Sequence, residues 1–276
     1  MKRKLRLLLF GLVFVMILNA ATIAFSEPVR QQLTKESTIE QIIKRGKIRV
    51  GMSAFVPWAM KDKKGELIGF EVDVAKRLAK DLKIDAEFVL TEWSGIIPAL
   101  LTGKFDVIIG GMTITPERNL KVNFTIPYDY AGQSLVTNKK LRPDFKKIED
   151  FNRSDVTIAC RLGATSVYAT KKYLPKAKIR LFDTEGAAVQ ELLNGRADGF
   201  VSSAPLPAQQ AFRYPDTLRL IEEQLTKELI GFAVQKGDPD TLNCFNNWIR
   251  NVENEGWLQE RHNYWFKTLE WESRIK

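Results

Sequence analysis

The chain has 276 residues and a formal net charge of +9, with 42 Lys and Arg, 33 Asp and Glu, one histidine and two cysteines. The basic excess forms no lysine-rich block and no aromatic-basic interleaving, so it marks no nucleic-acid face. With His262 alone and no cysteine cluster, no transition-metal site is readable, and no cofactor is implied.

At the start, Lys2, Arg3, Lys4 and Arg6 precede an apolar, uncharged run over 7–25 that is broken only at Asn19 and Thr22. Ala24 and Ser26 occupy the small-residue positions ahead of a cleavage point, so 1–26 reads as an export signal. Its removal takes four positive charges from +9 and leaves +5. An uncleaved anchor is the rival reading, for which the run is at the short end. The expected destination is a bacterial periplasm. Residues 27–37 are polar and read as a mobile lead-in.

A short helix opens at Ser37 or Thr38, residues with capping side chains. Alternating apolar and basic residues over 47–52 predict a strand, and a turn at 65–69 leads into a helix over 70–79. Glu71 and Asp73 are expected on its solvated side or near its start, in a structural rather than catalytic role. A strand over 86–90, a loop at Trp93, a helix over 96–101 and a strand over 105–109 complete a β-α-β-α-β run. That order implies a parallel or mixed sheet with helices outside it. In such sheets ligands bind beyond the carboxyl ends of the strands, here 52–58, 92–94 and 110–118.

The last of these segments carries the most chemistry. Gly110 and Gly111 allow close backbone approach. Thr113, Thr115 and Pro116 then enter a helix, with Arg118 about one turn on. A guanidinium, a hydroxyl and open backbone N–H groups together suit one carboxylate. Beyond it, the polar and basic stretch 136–143 reads as a hinge crossing into a second lobe. That lobe has strands over 156–160, 178–182 and 199–201, and a helix over 185–194 stopped by Gly195. Residues 230–235 return to the first lobe, and C-terminal helices over 242–252 and 256–267 pack there through Phe245, Trp248, Leu258 and Trp265. The expected division is 38–137 with 230–276 for lobe 1, and 138–229 for lobe 2. Cys160 and Cys244 fall in different lobes and are expected as two free thiols.

Five blocks in order carry a resemblance: GKIRVGMSAFVPW (46–58), GELIGFEVDVAKRLAK (65–80), EWSGIIPALLTGKFDVIIGGMTITPER (92–118), FTIPY (124–128) and GRADGFVSSAP (195–205). Over about 39–266 the sequence resembles the periplasmic solute-binding proteins of polar amino-acid ABC transporters, the family 3 extracellular solute-binding proteins. It is distantly similar to their cyclohexadienyl dehydratase branch. The resemblance implies an α/β, two-lobe (type II) periplasmic-binding-protein fold, each lobe a mixed sheet flanked by helices, with two hinge crossings. It further implies a monomer that captures a small carboxylate-bearing solute by lobe closure and hands it to an inner-membrane ABC permease. A ligand sensor without a transporter is a further alternative.

On the family's pattern, Phe55 and Trp93 are the aromatic walls of the cleft. Gly111, Thr113 and Arg118 match the α-carboxylate site, Thr165 closes on the same carboxylate, and Ser166 reads the ligand's side chain. Arg161 is either a second anion contact or a solvated rim arginine. Ser203 stands where the family places the aspartate that pairs with the α-ammonium. Either the ligand has no α-amino group, or another acid, such as Glu92, supplies the charge. The dehydratase branch needs a general acid just after the Thr165 loop, where Val167 stands, and an acid at Ser203. Both departures point to a binder rather than an enzyme.

Overall fold

The computed structural model describes residues 37–275; the expected export signal and the expected lead-in as far as residue 36 lie outside the described residues, while Ser37, expected at the lead-in's end, is buried. The first lobe begins with α1 (Thr38–Arg45), capped by Ser37, whose Oγ accepts from the Glu40 N–H. It ends at Gly46, which adopts the left-handed conformation, φ +68, that glycine tolerates best. There follow β1 (Lys47–Met52), the hairpin β2 (Met60–Lys61) and β3 (Leu67–Ile68), α2 (Phe70–Asp81), β4 (Asp85–Leu90), α3 (Ile96–Leu101), β5 (Val107–Ile108), α4 (Pro116–Asn119) and β6 (Asn123–Phe124). β7 (Asp129–Ala131) leads to β8 (Gln133–Asn138), β9 (Thr157–Arg161), α5 (Thr165–Tyr173), β10 (Lys178–Phe182), α6 (Glu185–Leu193), β11 (Gly199–Ser203), α7 (Leu206–Arg213) and β12 (Leu218–Gln224). The chain returns through β13 (Glu228–Ile230) and β14 (Ala233–Val234) to α8 (Pro239–Asn254) and α9 (Trp257–His262).

Two five-stranded mixed sheets result. The first has the order β4-β1-β5-β14-β6, with β1 parallel to β4 and β5, and β14 antiparallel to β5 and β6. The second has the order β10-β9-β11-β8-β12, parallel at β9 and antiparallel around β8. Between them β7 and β13 pair antiparallel, Glu228 opposite Ala131 and Ile230 opposite Asp129. This two-stranded ribbon is the hinge.

Its position corrects one expectation. All of β8 is buried within the second sheet, so the chain leaves the first lobe through β7, ahead of the boundary expected after residue 137. Gln133, Ser134, Thr137 and Asn138 are polar yet almost wholly buried, which hides the strand from a reading based on polarity. The basic residues Lys139 and Lys140 that suggested a crossing form a turn beyond its end.

The first lobe's core takes in Phe245, Trp248, Leu258 and Trp265 from the C-terminal helices, at roughly 1.5–3 kcal/mol for each large side chain removed from water. These helices also cover α2, and that reverses the expectation for Glu71. Its carboxyl is fully buried and receives the Tyr128 hydroxyl at 2.7 Å. Burial pushes its pKa up to about 8. Asp73 is half-buried and accepts from Trp265 Nε1 at 2.7 Å. Cys160 and Cys244 are both free thiols.

Candidate functional site

A small cavity lies between the two lobes. All nine residues expected at the site line it: Phe55, Trp93, Gly111, Thr113, Arg118, Arg161, Thr165, Ser166 and Ser203. Gln133, Ala164, Glu185 and Ser202 complete the lining. The lobes are pressed together, leaving only ≈ 20 Å³ for the centre of a water-sized molecule.

Arg118 sits on α4, whose cap Thr115 accepts the Arg118 N–H at 3.2 Å and whose first residue is Pro116. This fixes the guanidinium's approach. Nη1 donates to the Thr113 carbonyl at 2.9 Å, and Nη2 reaches across to the Gly163 carbonyl of the second lobe at 3.1 Å. Trp93 Nε1 donates to that same carbonyl at 3.2 Å. Burial lowers the Arg118 pKa, and Glu228 opposes this. Gly111 adopts φ +70, and a Cβ there would come within 3.1 Å of the Trp58 ring. Only glycine fits that turn without strain.

The aromatic walls are more occupied than a simple clamp. Phe55 stacks on Trp58 with ring centroids 5.9 Å apart. Trp93 lies against two guanidinium groups, Arg118 at 5.7 Å and Arg161 at 5.4 Å from its ring centre. Arg161 is only 3% exposed, so it is not a rim residue. Its Nη2 donates to Ser53 Oγ and its Nε to the Asp183 carbonyl.

Thr165 opens α5 behind Ala164, a residue with no side chain to cap the first-turn N–H groups. Those donors are left for another acceptor. The Thr165 hydroxyl lies 3.4 Å from that of Thr113 across the lobes. Both donate to one acid. Glu228 Oε2 accepts from Thr113 Oγ1 at 2.6 Å, Thr165 Oγ1 at 2.9 Å and Gln133 Nε2 at 3.2 Å. Its Oε1 accepts from Thr226 Oγ1 at 2.9 Å. Ser203 Oγ takes a second donor contact from Gln133 at 2.8 Å.

Glu228 is the carboxylate that Gln133 Nε2 links to Ser203, and it lies behind the residues that line the cavity. Glu92, the acid suggested by sequence, is exposed and does not line the cavity. Glu228 belongs to the hinge ribbon, and its only sequence signal is its place just ahead of the return at 230. Glu185, the first residue of α6, is a second acid missed by sequence. It is almost wholly buried, and burial pushes its pKa up to about 7 against the pull of Arg161. Val167, the position a dehydratase acid would need, packs against the second lobe's core instead.

The model of the bacterial extracellular solute-binding proteins, family 3, matches residues 48–268. The chain belongs to that family. It is 45% identical to the ancestral amino acid-binding protein AncCDT-1, a precursor of cyclohexadienyl dehydratase, whose crystal structure resembles it with a TM-score of 0.76 over 83% of this chain and 99% of that one. A putative binding component of an ABC transporter from Wolinella succinogenes DSM 1740, complexed with lysine, is 41% identical, with a TM-score of 0.78 over 83% of this chain and 99% of that one. The L-cystine-binding protein TcyJ of Escherichia coli (strain K12) is 28% identical over 232 residues, 84% of this chain and 86% of the relative. The two-lobe α/β fold expected of a family 3 solute-binding protein is the fold observed.

Proposed function

We propose that this family 3 protein captures a free α-amino acid between its lobes, as a monomer in the periplasm, and delivers it to an inner-membrane ABC permease. One observation carries this reading. A cation and an anion converge on Thr113, Arg118 on its carbonyl and Glu228 on its hydroxyl, as a zwitterionic head group requires.

The ligand's α-carboxylate takes the donors of Arg118 and the uncapped N–H groups at the start of α5. Its α-ammonium replaces the hydroxyls of Thr113 and Thr165 on Glu228 Oε2. Phe55 and Trp93 wall the cleft beside it. Because the head group touches Arg118 from the first lobe, Thr165 from the second and Glu228 from the hinge, it favours the closed form over the open one. The lysine of the Wolinella relative and the L-cystine of the E. coli relative share this head group and differ beyond it.

The reading is tested by thermal shift of the full chain against amino acids, 2-oxo acids, 2-hydroxy acids and betaines. Saturating ligand at about 100 times its Kd raises stability by roughly 2.7 kcal/mol. The expected result is a shift with α-amino acids that disappears in Arg118→Ala. A panel in which only ligands without an α-amino group bind would overturn it. Catalysis is not expected, because Val167 offers no transferable proton. Incubation with prephenate or arogenate should leave both unchanged, and turnover above a buffer control would contradict this.

A further inference from the structure

Building on that reading, we infer that the ligand's side chain ends in an uncharged group that both accepts and donates hydrogen bonds, a carboxamide or a ureido, held between Arg161 and Glu185. The head-group partners are Arg118 and Glu228. What remains in the cavity is a second polar set, all from the second lobe: Arg161 at the end of β9, Ser166 on α5, Glu185 at the start of α6 and Ser202 on β11. Each is more than nine-tenths buried.

Glu185 Oε2, Ser166 Oγ and Ser202 Oγ make no well-formed hydrogen bond, although the Ser202 hydroxyl lies close enough to the Glu185 carboxyl to favour its charge and Ser166 lies beside the Cys160 thiol. Buried polar groups are rarely left so, because water cannot compensate them. Three such under-satisfied groups on one cavity wall leave hydrogen-bonding capacity for another molecule. Among the described residues Arg161 closes no ion pair, although Glu185 shares its cavity and feels its charge. The guanidinium spends its contacts on Ser53 and Asp183 instead.

Charge then selects the ligand. A lysine-like or arginine-like terminus would sit beside the buried Arg161 cation, and a carboxylate terminus beside Glu185. Each charged terminus thus meets a like charge as well as its counter-charge, which leaves little net attraction to offset its desolvation. A carboxamide or ureido carbonyl accepts from Arg161 while its N–H donates to Glu185 Oε2, and the Ser166 and Ser202 hydroxyls meet what is left. Such a ligand serves the Arg161, Glu185, Ser166 and Ser202 wall without adding a charge. This departs from the lysine found in the W. succinogenes relative.

The test is isothermal titration of the full chain with glycine, L-glutamine, L-citrulline, L-lysine, L-arginine and L-glutamate. L-glutamine or L-citrulline is expected to bind about tenfold or more tighter than either cationic amino acid and than L-glutamate. Arg161→Met should shift preference toward L-lysine and L-arginine, since Glu185 then faces them unopposed. Glu185→Gln should weaken L-glutamine and L-citrulline more than it weakens glycine, and an equal loss for all three would count against a side-chain contact at Glu185. A wild-type preference for L-lysine, L-arginine or L-glutamate overturns the inference whether or not the variants fold. In that case the head-group reading stands if the bound ligand still depends on Arg118. Equal affinity for all six, glycine included, likewise overturns the side-chain inference alone. Failure of every amino acid to bind overturns both.

Discussion

Arg118→Lys separates a planar two-donor contact from a mere positive charge. In the structure one guanidinium serves two carbonyls, Thr113 at 2.9 Å and Gly163 at 3.1 Å, from a half-buried position against Trp93. A ligand carboxylate presents two oxygens to the same fork. A lysine ammonium keeps the charge and serves one of them, because it lacks the rigid pair of N–H groups. Hydrogen bonds to charged groups contribute about 1.5–3 kcal/mol each, so losing one costs roughly 2 kcal/mol. That is about thirtyfold in Kd. Arg118→Ala loses both bonds and the charge, roughly 3–5 kcal/mol, which weakens Kd by about 150- to 5,000-fold. Isothermal titration with the best ligand of the panel reads both variants. Thermal melts provide the control, since α4 keeps its Thr115 cap and Pro116 start and the fold should be little changed. Affinity retained within twofold in Arg118→Lys, or within about tenfold in Arg118→Ala, would refute the carboxylate assignment.

Two further predictions concern the scaffold. Glu71 has a folded pKa raised by burial to about 8, from an unperturbed 4.5. The folded state therefore holds a proton that the unfolded state releases, and stability falls as pH rises through the window from 4.5 to about 8. At about 1.4 kcal/mol per pH unit the ceiling on the loss is about 5 kcal/mol. Glu71→Gln should flatten this slope and be the more stable protein at pH 8, as read from urea midpoints at pH 5 and pH 8; equal slopes in both proteins would contradict it. Gly111→Ala should lower stability by roughly 1–2 kcal/mol, because an L side chain is strained at φ +70 and its Cβ meets the Trp58 ring at 3.1 Å. An unchanged melting temperature would show that the turn relaxes freely.

The first lobe was legible because its elements are local and regularly patterned. The strand at 47–52, the helix from Phe70 and the Pro116 helix start all follow from side-chain spacing and capping chemistry. The nine residues picked out by the family's motifs line one cavity for the same reason, since motif and loop lie together in the chain. What escaped was chemistry assembled over distance. Glu228 meets Thr113 across 115 positions, and nothing in its neighbourhood distinguishes it from a surface acid. Glu185 reads as an acid opening a helix, a common and favourable arrangement, until burial against Arg161 is seen. Glu71 was misjudged because its helix is covered twice, by the sheet and by C-terminal helices nearly 200 positions away in sequence. The hinge was displaced for a related reason. Buried polar residues in β8 look like loop when polarity alone is read.

The central claim is that Arg118 and Glu228 together hold a zwitterion. It is tested most directly by titrating wild type and Glu228→Gln with the best-bound L-α-amino acid and with its L-2-hydroxy counterpart. These ligands differ only at the α-ammonium. Pairing that ammonium with a half-buried carboxylate is worth roughly 2 kcal/mol, below the figure for a fully desolvated pair. The wild type should therefore prefer the amino acid by about thirtyfold, and Glu228→Gln should erase most of that preference while binding the hydroxy acid as before. A preference that survives in Glu228→Gln, or a wild type that binds the hydroxy acid equally well, would contradict the account.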